Sequence, residues 1–163
     1  MFDHISLGVR SLERSAPFYD AVLTALGYVR LFENIRSVCY GPPGFKGEAP
    51  FAIIKWGEDA KAPGPGFHLA FAAASRDAVN RFHKSALETG GVDEGPPGIR
   101  ENYDPGYYAA FVRDPDGHRL EAVLHEPFGR DRGQSRNKTL KSPLPSAGEG
   151  GAPRTSVRHW RAG

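Results

Sequence analysis

The sequence predicts an α+β fold in which a βαβββ unit occurs twice. Three observations predict it. Residues 4–27 repeat at residues 68–91 without a gap, each copy changes from strand to helix periodicity, and a strong hairpin turn lies near the end of the second copy. A repeat longer than the unit of a solenoid indicates two modules related by a pseudo-twofold axis rather than an array.

The repeat is visible at positions that determine secondary structure and packing. Six pairs carry the same or a similar residue: His4 and His68, Leu7 and Phe71, Ser11 and Ser75, Phe18 and Phe82, Leu23 and Leu87, Gly27 and Gly91. In both copies a short strand is followed by a serine suited to capping a helix, an amphipathic stretch, and a glycine that ends it.

The elements of the first module follow in order. Its opening strand alternates, so that the apolar residues 5, 7 and 9 share one face and His4 lies on the other. Ser11 caps the helix and Gly27 ends it. The strands expected after the helix cover residues 28–32, 37–40 and 51–56.

The second module repeats this plan. A helix is expected over about 76–89, followed by a strand near Val92 and a turn-rich loop through Pro96, Pro97 and Pro105. Two strands follow, 107–113 and 118–125, joined by the turn 114–117, whose sequence DPDG is typical of a hairpin. One domain of residues 1–126 results, with modules of about 1–60 and 64–126.

Charge is distributed unevenly along the chain, whose net charge is +2. Residues 127–163 hold eight Lys/Arg and two Asp/Glu, whereas residues 1–126 hold 13 and 17. The folded part therefore lacks the basic face that phosphate binding requires, and no nucleic-acid partner is expected. The basic Gly/Pro/Ser/Arg-rich segment 127–163 has no apolar period and is predicted to be disordered.

Composition excludes other classes of protein. The single cysteine, Cys39, rules out an intramolecular disulfide framework and a cysteine zinc site, and it fits a reducing compartment. No apolar stretch is long enough to span a membrane, and the N-terminus lacks the features of a secretory signal. We expect a cytoplasmic protein without a membrane partner.

Three residues are candidates for chemistry: His4, His68 and Glu121. The histidines occupy equivalent positions of the repeat, on the strand face opposite the apolar stripe, so a twofold pairing of the modules would bring them together. Glu121 lies in the last strand. Two imidazoles and a carboxylate suit Fe, Mn, Zn, Ni or Co and leave open positions for substrate. The alternative is that each histidine is an ordinary surface or core residue.

The segments FDHISLGVRSLERSAPFYDAVLTALG and YYAAFVRDPDGHRLEAV resemble the vicinal oxygen chelate superfamily, which includes glyoxalases, bleomycin-resistance proteins and extradiol dioxygenases. The resemblance covers about residues 1–126. It implies paired modules that form a cupped mixed sheet with helices outside, and one divalent metal ion bound by His4, His68 and Glu121. It also implies a homodimer, in which the modules pair within a chain or between chains.

One position departs from the family pattern. Glyoxalase-like members use a fourth ligand, a glutamate in the last strand of the first module, and the repeat offset places that position at Gly57. The neighbouring Glu58 is expected to be a solvated loop residue. Three ligands without a fourth resemble extradiol dioxygenases and fosfomycin-resistance thiol transferases.

Other side chains are assigned by strand register and position. If Arg113 pairs with His118, Tyr108 shares a face with Glu121 and is expected to take part in catalysis with it, by donating a hydrogen bond to a substrate oxygen. The alternative is that Tyr108 is a packing aromatic, and a slip of one residue would place Tyr107 on that face instead. Trp56 and Phe51 line the cavity or belong to the core. Further assignments are His83 at the surface, His118 in the turn, and His125 at an exposed strand end or, as the alternative, a base in the cavity. Arg100, Asn102 and Tyr103 lie in the long loop before the seventh strand, and loops of this kind often gate substrate access.

Three functions compete. The first is a metal-dependent enzyme for a small oxygen-chelating substrate, with lyase or isomerase, dioxygenase, or thiol transferase chemistry. The second is a metal-free small-molecule binding protein of the bleomycin-resistance type. The third is an interaction module whose basic C-terminal segment binds a partner.

Overall fold

The computed structural model describes residues 2–127, in which the predicted order βαβββ occurs twice. The first module comprises β1 (Ile5–Val9), α1 (Leu12–Ala25), β2 (Val29–Glu33), β3 (Ser37–Gly41) and β4 (Phe51–Lys55). The second comprises β5 (Leu69–Ala72), α2 (Arg76–Glu88), β6 (Val92–Ile99), β7 (Tyr107–Arg113) and β8 (Arg119–His125). The α+β prediction is confirmed. Apart from Pro127, the segment predicted to be disordered lies outside the described residues.

Both modules form a mixed four-stranded sheet with the same strand order, β1-β4-β3-β2 and β5-β8-β7-β6. The first and fourth strands of each module are parallel neighbours, and the other pairs are antiparallel. Consequently β5 is an edge strand next to β8, and the residue that precedes β5 lies close to the strand that carries Glu121.

The helix termini follow the predicted repeat at their start and depart from it at their end. The hydroxyls of Ser11 and Ser75 accept hydrogen bonds from the third backbone N–H that follows, at 3.4 and 3.1 Å. Gly27 has a positive φ of 88°, whereas in the second copy the positive φ occurs at Gly90, because α2 ends one residue earlier. The next glycine, Gly91, packs closely against α1. Neither helix of the described chain is long and apolar enough to cross a membrane.

The second module differs from prediction at β6. A turn-rich loop was expected through Pro96 and Pro97, but β6 continues to Ile99. Proline is compatible with a strand at the edge of a sheet, where a missing N–H costs no ladder hydrogen bond, and β6 is an edge strand. Its register shifts twice between Asp93 and Gly98, which accommodates the prolines.

The core lies between the helices and one face of each sheet. The helices contact each other, and α1 packs on the first sheet while α2 packs on the second. Fully buried side chains include Val9, Phe18, Tyr19, Val22, Ile53, Val79, Phe82, Val112 and Leu120. Across the modules, the rings of Phe51 and Phe71 meet edge to face at 5.4 Å. The opposite face of each sheet bears the residues predicted to carry chemistry.

A buried polar cluster joins the β7–β8 turn to the first module. Asp114 accepts a hydrogen bond from the Tyr19 hydroxyl at 2.6 Å, and Asp116 accepts one from the Ser15 hydroxyl at 2.5 Å. Asp116 also accepts from the Arg10 backbone N–H at 3.2 Å. Both carboxylates are almost inaccessible to solvent. The turn therefore anchors β8 to α1 and to the end of β1, in addition to reversing the chain.

His118 is part of the same contact. Its side chain is buried, and Nε2 lies 2.8 Å from the carbonyl oxygen of Gly8 in β1. Since a carbonyl only accepts, Nε2 carries the proton and donates it. Nδ1 has no hydrogen-bond partner among residues 2–127. His118 was assigned to the turn, but its side chain binds the opposite module.

Candidate metal centre

His68 and Glu121 meet on the open face of the second sheet. His68 directly precedes β5, and Ala70 of β5 pairs with Glu121 of β8. Because side chains alternate along a strand, residues 68, 70 and 121 share a face. His68 Nε2 lies 3.0 Å from Glu121 Oε2. The glutamate side chain is only 1% exposed, whereas His68 is 33% exposed and reaches the surface.

Tyr107, rather than Tyr108, contacts this carboxylate. The Tyr107 hydroxyl donates a hydrogen bond of 2.5 Å to Glu121 Oε1, so the two carboxylate oxygens face a phenol and an imidazole. Burial, followed by the hydrogen bond to Glu121, raises the pKa of Tyr107, which keeps the hydroxyl protonated as a donor. Its ring also contacts those of Tyr103 and His125 edge to face, at 5.2 and 4.9 Å.

The prediction for Tyr108 was wrong by one residue of register. Arg113 pairs with Arg119 instead of His118, so Phe111 stands opposite Glu121. The cause is the Asp114 carboxylate, whose Oδ1 accepts from the backbone N–H of both Asp116 and His118 and so adds one residue to the turn.

Tyr108 consequently faces α2. Its hydroxyl donates to Asn80 Oδ1 at 2.8 Å, and the Arg76 guanidinium lies 4.8 Å from its ring centroid. This is the packing environment that the sequence left as the alternative for a tyrosine in this strand.

His4 lies at an equivalent place in the first module, immediately before β1. Its side chain is about half exposed, and Nδ1 is 2.8 Å from Asp3 Oδ1, a hydrogen bond that raises the pKa of His4. Among the described residues no three His, Cys, Asp or Glu side chains form a group that would hold a metal ion. One chain therefore brings together two of the three predicted ligands.

Solved structures with this fold identify the family. A glyoxalase/bleomycin resistance protein from Albidiferax ferrireducens T118 is 36% identical, with a TM-score of 0.67, and the match covers 76% of this chain and 98% of that one. This chain belongs to the glyoxalase/bleomycin resistance protein family. The family lies within the vicinal oxygen chelate superfamily, as the two sequence segments predicted.

Two further structures extend this comparison. A putative glyoxalase from Bacillus halodurans is 26% identical over 76% of this chain and 95% of its own, with a TM-score of 0.55. The fosfomycin resistance protein FosX from Mesorhizobium loti shares the fold at 21% identity over 76% of this chain and 91% of its own, with a TM-score of 0.53. No protein-family profile and no curated protein matches the chain.

Within residues 2–127, no carboxylate occupies the position equivalent to Glu121 in the first module, where glyoxalase-like members were expected to carry a fourth ligand. Ile5 pairs with Phe51 and Leu69 pairs with Leu120, so the residue equivalent to Glu121 is Ala52 and not Gly57. The repeat offset fails here because β6 and β7 are longer than β2 and β3, and because the connection between β6 and β7 is longer than that between β2 and β3. Gly57 instead begins a short 3-10 turn that also contains Glu58, as expected for a solvated segment. A methyl group thus occupies the position of the missing carboxylate.

The remaining candidates separate into core and surface. Phe51 belongs to the core, whereas Trp56 is exposed on the open sheet face, where its ring covers Gly8. His125 is exposed, as predicted. The prediction for His83 was wrong: it lies on the buried side of α2, with Nε2 3.0 Å from Oδ1 of Asp93 in β6.

The donors on the second sheet fit part of a divalent metal site. A buried carboxylate beside an imidazole provides one oxygen and one nitrogen ligand, which suits first-row transition ions. The Tyr107 hydroxyl orients the carboxylate in the way that outer hydrogen bonds orient metal ligands in general. This contact was open to sequence reasoning, since Tyr107 was the alternative in the neighbouring register.

Proposed function

We propose that this family member is a metal-dependent enzyme that converts a small substrate bound through two oxygen atoms. One observation carries the proposal: His68 Nε2 lies 3.0 Å from a Glu121 carboxylate that is 1% exposed, on a sheet face that no helix of the described chain covers. A buried carboxylate is costly unless a cation or hydrogen bonds compensate it. One ion of Fe, Mn, Zn, Ni or Co would provide that compensation.

The third ligand in this proposal is His4 from a second copy of the chain. His4 is exposed and does not join the pair within its own chain. In a twofold homodimer each copy would contribute its His4 to the site of the other copy, so one symmetric interface would complete two identical sites. The arrangement requires the first module of one copy to face the second module of the other.

The chain's own residues would divide the work at this site. Glu121 and His68 would hold the ion, Tyr107 would fix the carboxylate through its hydroxyl, and the substrate would enter from the open face. The bound ion supplies Lewis acidity toward oxygen atoms of the substrate. Such a centre would serve lyase or isomerase, dioxygenase or thiol transferase chemistry. We propose a cytoplasmic location for the protein.

The first experiment is elemental analysis of the chain purified without chelator, beside the variants His68→Ala and His83→Ala. We expect one equivalent of a first-row metal per chain, lost in His68→Ala and kept in His83→Ala, because His83 is bonded to Asp93 away from the centre. If neither the unmodified protein nor a metal-loaded sample retains an ion, the proposal is wrong.

Mixing variants tests where His4 comes from. His4→Ala and His68→Ala chains are unfolded and refolded together. A dimer that contains one of each has one intact site if His4 acts across the dimer, and none if it acts within the chain. If metal binding is recovered only in the mixture, the shared site is supported. If the unmixed His4→Ala variant still binds metal, a role for His4 is refuted.

The alternative is a metal-free binding protein on the same fold. The two oxygens of Glu121 already face Tyr107 and His68, which satisfies the carboxylate without an ion. An apolar cavity lies between the modules, but its size does not favour this alternative. It measures about 150 Å³, which is smaller than the pockets of roughly 300–1,000 Å³ that take drug-sized ligands.

A further inference from the structure

Arg100 lies on the same sheet face as His68 and Glu121, separated from them by one aromatic ring. Its guanidinium carbon is 5.4 Å from the centroid of the Phe111 ring. Phe111 stands opposite Glu121 in the β7–β8 ladder, and its centroid is 6.5 Å from that of His68. A cation over the face of a ring is attracted by the ring's quadrupole, which favours this position.

The sequence around β6 makes room for this guanidinium. A Cβ added at Gly95 would lie 3.3 Å from Arg100 Nη2, and one added at Gly98 would lie 3.2 Å from Nη1. Nη2 donates a hydrogen bond of 2.6 Å to the carbonyl oxygen of Pro96. The two glycines of the segment GPPG therefore leave the space in which the planar group is held against the backbone.

The fixed guanidinium retains donors for a ligand. Among residues 2–127 no carboxylate lies within ion-pair distance of Arg100. Asp93 is engaged elsewhere: its Oδ1 accepts from the Gly95 N–H at 2.8 Å and lies 3.0 Å from His83 Nε2. Of the five N–H groups of an arginine, one is bonded to Pro96, and the planar fork matches an oxyanion.

The surrounding charges favour an anion as well. Arg113 and Arg119, which belong to the same face, share the single carboxylate of Glu94 at 2.8 and 3.3 Å. With Glu121 counted on the same face, the three guanidiniums of Arg100, Arg113 and Arg119 exceed the carboxylates by one. Such a field concentrates anionic ligands at the face.

We propose that Arg100 binds an oxyanion of the substrate, a carboxylate or a phosphonate, beside the His68–Glu121 pair. The inference rests on the proposed function, and it narrows the substrate to a small acid. One end of that acid is paired with Arg100, while its oxygen donors reach the candidate metal centre.

The test uses the full metal-free chain and three probes of similar size: propionate, methylphosphonate and the neutral propionamide. Binding is followed by NMR titration for the unmodified chain, Arg100→Gln and the control Arg81→Gln. Arg81 lies on α2 on the outer side, where its loss changes the net charge equally. Hydrogen bonds to charged groups predict a Kd increase of about ten- to a hundredfold in Arg100→Gln.

A second variant guards against a general effect of the lost charge. In Gly98→Ala the new methyl displaces Nη1, so the anion should bind more weakly than to the unmodified chain and more tightly than to Arg100→Gln. The anion that binds more tightly, propionate or methylphosphonate, identifies which oxyanion of a substrate Arg100 binds. Equal affinity in Arg100→Gln and the unmodified chain, saturation by propionamide, or no saturation by either anion overturns the proposal.

The outcome is separable from that of the proposed function, because the titration needs no metal. If the chain binds no metal but shows anion binding that depends on Arg100, the metal-dependent activity fails and the anion site stands. If metal binds and Arg100→Gln has no effect on the anions, the reverse holds.

Discussion

The buried hydrogen bond between Tyr19 and Asp114 should be a principal support of the contact between the modules. The Tyr19 hydroxyl donates at 2.6 Å to Asp114 Oδ2, and both side chains are excluded from solvent. Tyr19→Phe removes one oxygen atom and leaves the packing of the ring intact. The carboxylate then loses a donor that water cannot replace.

The size of the effect follows from the charge of the acceptor. A hydrogen bond to a charged group contributes about 1.5–3 kcal/mol to the free energy of unfolding, so we expect Tyr19→Phe to lower it by that amount at neutral pH. Tyr40→Phe is the matched control, because Tyr40 is also buried and donates to a carboxylate, Asp20, at 3.0 Å. Asp20 is 38% exposed, so water replaces the lost donor and the loss should stay below about 1 kcal/mol.

The pH dependence distinguishes this contact from general loss of packing. Burial raises the pKa of Asp114, and the hydrogen bond from Tyr19 opposes that rise. A raised pKa in the folded state means that stability present in acid is lost as the pH rises through that value. The phenylalanine variant has a still higher pKa at Asp114, so its deficit is greatest at neutral pH and shrinks as the carboxyl becomes protonated.

Urea unfolding monitored by circular dichroism at neutral pH and at about pH 4.5, above the ordinary aspartate pKa, measures both effects. The expected result is a large deficit for Tyr19→Phe that decreases in acid, and a small deficit for Tyr40→Phe that does not. A deficit equal to that of the control, or one independent of pH, would refute the importance of the buried carboxylate.

Three further predictions concern other parts of the molecule. Tyr107→Phe should weaken Mn²⁺ binding about 10- to 100-fold in a metal titration, as expected for a residue that orients a ligand, while Tyr108→Phe should leave it unchanged. Gly91→Ala should lower the free energy of unfolding by about 1–3 kcal/mol, because its Cβ would lie 2.8 Å from a Phe18 ring carbon; Gly64→Ala, with no atom within 4 Å, should be within about 0.5 kcal/mol of the unmodified protein. The Cys39 thiol, whose pKa burial raises, should react with a disulfide reagent at least about tenfold more slowly in the folded protein than in urea.

The repeat allowed the sequence to predict the first strand and the helix of each module, and the DPDG turn placed β7 and β8 to within one residue. The alternation of apolar residues and the two capping serines are local features, and they place β1, α1, β5 and α2 almost to the residue. Glycines at helix ends were also recognised, although the left-handed position moved from the expected Gly91 to Gly90.

Register and burial in the second half depended on contacts between distant residues. The side chain of Asp114 sets the length of its own turn by binding two backbone N–H groups, and this shifts Tyr107 onto the face of Glu121. The burial of His83 depends on Asp93 in a neighbouring strand. Neither interaction has a periodic pattern, so neither was accessible from spacing alone.

The two prolines of β6 affect how this molecule can associate with others. An exposed sheet edge is a template for strands from other molecules, because it presents a row of unpaired N–H and C=O groups. Pro96 and Pro97 lack backbone N–H groups, and because consecutive N–H groups of a strand point to opposite sides, one of the two prolines removes a donor from the outer edge of the second sheet. Addition of strands from other molecules is therefore disfavoured at the β6 edge of this sheet. Backbone pairing with another molecule is more favourable at its opposite edge, β5, next to His68.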